Sequence, residues 1–250
     1  MVIILLAVFA ILTFISWIKI ENVPARVTSG LISGGLLLAT VLMLVANFNN
    51  HFGMEKVTKT ETKTIYSAGG SKVPAGMMIA QALGTKSNNY VMIYADKENA
   101  KPTAHFVPNK KHIVEAVKKT ATYKLIDADK ATVTTKTTRW EWQNDFFKLM
   151  FGFGGEGHSL YKQQTVVKLP KDTWVVMTPA QSKAVQAKQK AAAANPAAAQ
   201  AQQEQLKAAA SAKIAAFMQA NPKASQDQVK AYTTKVTAEL TAEAMKAMLK

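Results

Sequence analysis

The hydrophobic pattern of the chain opens with two long apolar runs. Residues 2–18 are aliphatic or aromatic apart from one Thr and one Ser, and residues 27–46 carry no charged side chain. An α-helix rises 1.5 Å per residue, so about 20 residues cross a hydrocarbon core of roughly 30 Å. Backbone groups in lipid must be hydrogen-bonded internally, which favours helices. The pattern therefore predicts a transmembrane helical hairpin over residues 1–46.

The basic residues near the two runs indicate an orientation. Lys19 and Arg26 lie in the connection, whereas no Lys or Arg lies before Lys19 or between Arg26 and Lys56. Connections rich in Lys and Arg face the cytoplasm. We therefore expect a two-pass protein of the cell membrane with both termini extracytoplasmic.

A cleaved signal peptide is the alternative interpretation of the first run. Such a peptide begins with basic residues and ends at a small-residue cleavage site. This run has no basic residue before it and ends at Ser16-Trp17-Ile18-Lys19. We therefore favour a retained helix.

Residues 47–178 show the short alternating segments of a β-rich domain. In residues 55–66, for example, Thr alternates with Val, Ile and charged residues, and period-two patterning with β-branched side chains favours strands. Seven strands are predicted, a number that suits a small sandwich or barrel-like domain. Their residue ranges are 55–66, 75–83, 90–95, 122–126, 132–142, 160–169 and 173–177.

One short helix is expected within this domain, over residues 110–119 after a capping Asn109. Its apolar residues Ile113, Val114 and Val117 share one face. We favour a helix packed on the core with a solvated basic face. The alternative is a basic helix that rests on an anionic surface, and its candidate contacts are Lys110, Lys111, Lys118 and Lys119.

Residues 179–250 form an Ala/Gln/Lys-rich tail, and these residue types favour helix. Pro196 and Pro222 are expected to interrupt the helix. Ser225 and Gln228 have the spacing of a capping box, which predicts a helix start. Whether the tail packs on itself, on the β-rich domain or on a partner stays open. The whole chain is predicted to be α+β: a membrane hairpin, a small β-rich domain and a helical tail.

Charge and composition indicate which classes of binding partner suit this chain. The net charge is +15, and most of the excess lies after residue 54, so a diffuse basic surface faces the outside in the expected orientation. Such a surface suits a lipid bilayer or anionic envelope polymers better than nucleic acid. The chain contains no Cys, which excludes disulfides and thiolate chemistry.

No catalytic constellation is visible in the sequence. Gly152-x-Gly154-x-x-Gly157 matches a dinucleotide fingerprint by letter but lacks the strand and helix on either side, so a loop is predicted. No pair of carboxylates is marked out for acid–base catalysis, and no Ser lies in a nucleophile-elbow pattern. We expect no enzymatic activity, no cofactor and no metal, because no ligand spacing relates the four histidines His51, His105, His112 and His158.

Two features indicate interaction surfaces. Gly30, Gly34 and Gly35 form a small-residue groove on the second apolar run, which suits packing within the hairpin or on another protein's helix. The second feature is the density of large apolar residues between residues 139 and 153. These residues predict either a domain core or a patch for the membrane interface or a partner, and its candidates are Trp140, Trp142, Phe146, Phe147 and Phe151.

The layout resembles a family of two-span membrane proteins from lactic-acid bacteria that is known as a domain of unknown function. The resemblance rests on the apolar hairpin at residues 2–46, the stretch Thr138-Arg139-Trp140-Glu141-Trp142-Gln143-Asn144-Asp145-Phe146-Phe147, Leu169-Pro170-Lys171, and the Thr178-Pro179-Ala180-Gln181 entry into the tail. It implies an extracytoplasmic β-domain and a helical tail. Since such proteins are similar to accessory proteins found beside multidrug exporters, the resemblance also suggests an integral membrane protein as partner.

Two functions therefore remain as expectations. The first is a non-enzymatic, membrane-anchored accessory or scaffold protein, associated with an exporter. The second is an envelope-binding module whose basic surface recognises anionic wall or lipid polymers. Ionic strength separates them, because polymer binding weakens with salt and helix packing in lipid does not.

Overall fold

The chain forms two compact units. The first comprises Met1–Lys59 with Thr137–Lys162, and the second comprises Thr60–Lys136 with Gln163–Lys250. The sequence predicts three domains: the hairpin (residues 1–46), the β-rich domain (residues 47–178) and the helical tail (residues 179–250). That each of them folds independently stays a prediction. The structure is a computed structural model, and it describes residues 1–71, 73–84, 88–193 and 196–249.

Two helices, α1 (Val2–Lys19) and α2 (Val23–Asn50), form the predicted N-terminal hairpin. Both are long and apolar enough to cross a membrane. The connection is only three residues long, because Asn22 caps α2 by accepting a hydrogen bond from the backbone N–H of Ala25. The C-terminal end of α2 is closed by His51 in the left-handed conformation.

Across the described residues, eight strands make two four-stranded mixed sheets, in the orders β1-β6-β7-β5 and β4-β3-β2-β8. Each of the seven predicted strands is present, and the additional strand is the three-residue β4. The strands are β1 Met54–Thr64, β2 Gly76–Ala82, β3 Tyr90–Tyr94, β4 Thr103–His105, β5 Lys119–Ile126, β6 Thr132–Trp142, β7 Leu160–Pro170 and β8 Trp174–Met177.

Pairing in the sheets is only partly between sequence neighbours. β2 pairs with β3 and β3 with β4 in antiparallel fashion. β5 pairs with β7 in parallel, with Leu125 opposite Leu169, and β2 pairs with β8 in parallel, with Met78 opposite Val176. Parallel neighbours need long connections, and these contain other strands of the same sheet: β6 lies between β5 and β7 along the chain, and β3 and β4 lie between β2 and β8.

The main core of the second unit lies between residues of both sheets. Buried members two residues apart on β2, β3 and β7 are separated by less buried residues, as period-two geometry requires. Tyr90, Tyr123 and Val133 pack against it from less buried positions. The buried members are Ile65, Met78, Ala80, Met92, Tyr94, Ala121, Ala131, Val167, Leu169 and Trp174.

The helix predicted over residues 110–119 is wrong in extent. The observed helix α3 covers only Ile113–Ala116, and β5 already begins at Lys119. Asn109 closes a turn instead of a helix, because its side chain accepts a hydrogen bond from the backbone N–H of Lys111. The favoured core-packed interpretation is also wrong, since the apolar residues of this segment are exposed.

In the part of the tail that the structure describes there are three helices: α5 (Pro179–Ala193), α6 (Pro196–Ala220) and α7 (Gln226–Met248). The predicted capping box at Ser225 is confirmed. The open question of packing is answered within the second unit, because α5 and α7 bury a cluster against β8 and the segment before β2. This cluster contains Ala75, Val175, Met177, Val185, Ala242 and Met245.

Candidate membrane-interface site

The first unit contains a short amphipathic helix, α4 (Asp145–Phe151), at the predicted aromatic stretch. Asn144 starts this helix, because its side chain accepts a hydrogen bond from the backbone N–H of Phe147 at 3.1 Å. Asp145 in the first turn complements the helix dipole. The helix ends in a 3₁₀ turn over Gly152–Gly154, so the glycine motif lies in a turn and loop.

One face of α4 is buried against the hairpin. The Met1 amino group donates hydrogen bonds to the carbonyls of Leu149 and Met150, at 3.1 and 3.4 Å. Below these contacts lies an apolar group that we call the junction cluster. Its members are Val2, Met150 and Phe151, which are buried, with Leu5, Met43, Leu44, Trp142 and Phe147 packed around them.

The backbone just after α2 lies very close to an aromatic ring of α4, and this contact holds the end of α2 against α4. Gly53 has a φ of +83°, and a Cβ atom at this position would lie 2.5 Å from the Phe147 ring. The neighbouring Phe52 ring meets Phe147 edge to face at 5.5 Å. Asn47, which is buried, donates a hydrogen bond from its amide nitrogen to the Phe52 carbonyl at 2.7 Å. A side chain at position 53 would therefore displace the Phe147 ring and strain the backbone.

The opposite face of α4 is exposed and apolar. Together with exposed apolar residues near it, this face forms a patch that we call the collar. Phe48 contacts Phe153 edge to face at 6.4 Å, so residues from α2 and from the 3₁₀ turn contribute together. The collar consists of Phe48, Phe52, Phe146, Leu149 and Phe153, all of which are exposed. Exposed Phe and Leu side chains beside an apolar hairpin suit the boundary between lipid head groups and acyl chains.

A second aromatic group surrounds Lys56. Trp140 stacks on His51 at 4.2 Å and meets Tyr161 edge to face at 5.6 Å. The Lys56 ammonium lies 5.0 Å from the Trp140 ring centroid and 3.8 Å from that of Tyr161. Hydrogen bonding to Lys56 and its positive charge lower the pKa of Tyr161 below its ordinary value. The arrangement is a cation–π contact at the surface of the first unit.

The structure thus divides the five predicted aromatic residues. Phe151 is buried, Trp142 and Phe147 pack around the junction cluster, and Trp140 lies beside Lys56. Only Phe146 belongs to the collar. Sequence reasoning missed Phe48, Phe52 and Leu149, although aromatic residues just after an apolar run are a recognisable signal of a membrane interface.

The three predicted packing glycines also differ in environment. Gly30 faces α1, since a Cβ atom there would lie 2.8 Å from the Trp17 indole nitrogen. Gly34 and Gly35 have open space where a Cβ would stand. Packing within the hairpin therefore accounts for Gly30, and the other two glycines leave a groove on the outer surface of α2.

The four predicted basic contacts lie in the second unit around α3. Lys110, Lys111 and Lys119 are exposed and Lys118 is half-buried. The Lys119 ammonium lies 3.4 Å from a carboxylate oxygen of Glu115. The surface of this segment is therefore basic, and the Glu115 carboxylate partly offsets the charge of Lys119.

Possible catalytic groups in the described residues are scattered. His105 lies 3.7 Å from Asp96 and His158 lies 3.5 Å from Glu141, each near a single carboxylate. Within the described ranges, no group of three His, Cys, Asp or Glu side chains is close enough to hold a metal ion. Burial, with a smaller effect of Asp96, raises the pKa of Tyr94, which keeps this hydroxyl neutral.

The fold defines a class of protein in which an apolar helical hairpin is joined to two mixed four-stranded sheets. The chain belongs to the family described as a domain of unknown function, DUF4811, whose model matches residues 22–185. The match begins at the cap of α2 and ends within α5. A search of curated proteins and a search of solved structures found no match.

Proposed function

We propose that this protein is a non-enzymatic, membrane-anchored accessory or scaffold protein. The observation that carries the proposal is the exposure of the hairpin. Only 11% of the most apolar 18-residue window of α1 and 17% of that of α2 is buried. Exposed apolar surface costs roughly 25 cal/mol per Å² in water, so we expect lipid or another membrane protein to cover these helices.

The collar supports this anchoring. In the proposed arrangement the hairpin crosses the bilayer, and Phe146, Leu149 and Phe153 lie among the lipid head groups. Aromatic and aliphatic side chains are favourable there because the region accepts apolar surface beside water. Lys148, between two of these residues, is suited to contact lipid phosphates.

The groove at Gly34 and Gly35 supports a partner in the membrane. Glycines allow another helix to approach closely, and the resulting dispersion contacts exceed those made with lipid. The partner we propose is an integral membrane protein, such as an exporter. Recognition of anionic envelope polymers is the second candidate function, favoured by the exposed lysines around α3.

The proposed topology predicts which single cysteines are labelled. We expect Ser71→Cys to react with a membrane-impermeant maleimide on intact cells, and Glu21→Cys to react only after permeabilisation. The physical reason is the asymmetry of Lys19 and Arg26 about the two helices. The chain has no native Cys, so each label has one site. The reverse labelling pattern would overturn the orientation and the extracytoplasmic location together.

Filling the glycine groove should release the partner. We expect Gly34→Leu/Gly35→Leu to reduce the amount of co-purifying membrane protein about tenfold, which corresponds to a loss of about 1.4 kcal/mol of binding free energy. Affinity purification in mild detergent with quantitative mass spectrometry measures this loss. The double variant should still fractionate with membranes, because the substitutions add apolar surface to α2.

A size-matched control comes from α1. Ala7 and Ala10 are exposed small residues on that helix, so Ala7→Leu/Ala10→Leu adds similar bulk at another surface. Loss of the partner in both double variants would indicate a general effect of bulk in the hairpin. Retention of the partner in the glycine variant would rule out this groove as the docking surface and leave the collar as the candidate.

A further inference from the structure

The segment between β4 and β5 carries an exposed apolar patch in the second unit. Its four aliphatic side chains are between 60% and 74% exposed, although residues of this type usually pack in a core. Contiguous exposed apolar surface marks sites of protein or membrane interaction. The residues, which we call the aliphatic tip, are Val107, Ile113, Val114 and Val117.

The backbone aims this segment outward. Phe106 has a φ of +63°, a conformation that a bulky L residue rarely adopts. The Phe106 ring stays against the main core, at 6.3 Å from Tyr94 and 5.9 Å from His105. A strained residue persists only where surrounding structure holds it. The anchored ring and the left-handed backbone together direct the chain after residue 106 away from the core.

The helix α3 borders a cavity with the face opposite its aliphatic side chains. This cavity, of about 260 Å³, is lined from this segment by His112, Glu115 and Ala116, together with Val107 and other residues on either side of the helix. Residues three and four apart share one face of a helix, so these residues form the inner face. Ile113, Val114 and Val117 occupy the other face and point outward. This arrangement is the inverse of an ordinary surface helix.

Basic residues flank the aliphatic tip on both sides. Lys110 and Lys111 precede α3 and are exposed, and Lys118 and Lys119 follow it. Glu115 is the only acidic residue between Val107 and Lys119, and its carboxylate pairs with Lys119. An apolar tip within a basic ring matches the surface of an anionic bilayer, where the acyl boundary accepts apolar side chains and phosphates attract lysines.

We propose that the aliphatic tip inserts into the head-group region of an anionic bilayer, as a lipid contact separate from the hairpin. The proposal rests on the proposed function in one respect, since the hairpin brings the chain to a membrane. Charge complementarity favours lipid over a second copy of this chain, because two chains of net charge +15 repel each other.

The test uses the full chain in lipid nanodiscs, with an environment-sensitive dye on Val114→Cys. We expect the emission to shift to shorter wavelength, and to be quenched by nitroxide-labelled acyl chains, in discs that contain phosphatidylglycerol. In discs of phosphatidylcholine alone, both effects should be weaker. In the discs that contain phosphatidylglycerol, high salt should weaken both the shift and the quenching, because the Debye length falls to about 3 Å at 1 M.

Charge reversal provides a matched pair of variants. Lys110→Glu/Lys111→Glu in the dye-labelled chain should abolish the shift in anionic discs. Lys207→Glu/Lys213→Glu, at exposed positions of α6, changes the net charge equally and should leave the shift in place. Equal loss in both double variants would show that only overall charge matters and would overturn the proposal.

Three further outcomes separate the possible failures. A dye on Leu38→Cys in α2 reports insertion of the hairpin. If the Leu38 dye is quenched and the Val114 dye is unaffected in anionic discs, the aliphatic tip does not bind lipid and the proposal is wrong. If the Leu38 dye is not quenched, the proposed membrane anchoring itself fails. A Val114 shift that appears in lipid-free detergent and grows with protein concentration would assign the tip to contacts between copies, which also overturns the proposal.

Discussion

Replacement of Leu169 by Ala is expected to lower the free energy of unfolding of the second unit by about 2–5 kcal/mol. Leu169 is 0% exposed in the main core between the two sheets. Removing three carbons there forfeits their transfer from water and leaves a cavity that a close-packed interior fills only partly. The effect should therefore be among the largest of any single substitution.

Leu125 supplies a control that is unusually well matched. It lies opposite Leu169 in the parallel pair of β5 and β7, but it is 49% exposed because β5 is an edge strand. Leu125→Ala should cost less than about 1 kcal/mol, since half of the side chain is already in water. Denaturant unfolding of the full chain in detergent, followed by tryptophan fluorescence to which Trp174 of the main core contributes, measures both variants. Equal costs would contradict the description of the core.

The second large effect is expected at the junction of α2 and α4. Gly53→Ala combines two penalties: roughly 1–2 kcal/mol for the left-handed backbone, and typically 1–3 kcal/mol for overlap with the Phe147 ring. We expect the first unit to lose about 2–5 kcal/mol of stability. The rings of Phe147 and Phe52 should be displaced from each other, which exposes the junction cluster to protease.

Gly155 separates the two penalties. Its φ of +71° is close to that of Gly53, but nothing lies within 4 Å of a Cβ placed there. Gly155→Ala should therefore carry only the backbone penalty of roughly 1–2 kcal/mol. The two variants are compared by thermal unfolding in detergent and by limited proteolysis near α4. If Gly155→Ala is as destabilising as Gly53→Ala, the close approach of the Phe147 ring does not contribute.

Local signals in the sequence were sufficient for most secondary structure. The β1 and β6 strands follow from alternation of Thr with apolar or charged residues, a pattern that depends only on neighbours in the chain. The capping box at Ser225 is equally local, because side chain and backbone partners lie three residues apart. The strand β4 was missed because three residues carry no period. It exists through pairing with β3, where His105 lies opposite Met92.

The candidate sites also show that a local sequence pattern does not reveal which face of a helix is buried. The density of aromatic residues between residues 139 and 153 is visible in the sequence, and so is the shared face of Ile113, Val114 and Val117. Neither pattern states the direction in which a face points. In the first case, packing on the hairpin buries Phe151 and leaves Phe146 exposed. In the second, the apolar face of α3 is exposed although the Phe106 ring before it packs on the main core.

The apolar hairpin, the mixed α+β composition and seven strand positions can be predicted from local sequence, because length, period and propensity act within a few residues. The parallel pairing of β5 with β7, the packing of α7 on β8, and the covering of particular apolar faces are visible only in the folded chain. Those features depend on contacts between segments far apart in the chain. Their free energy comes from the surface that distant partners bury together, which no single segment encodes.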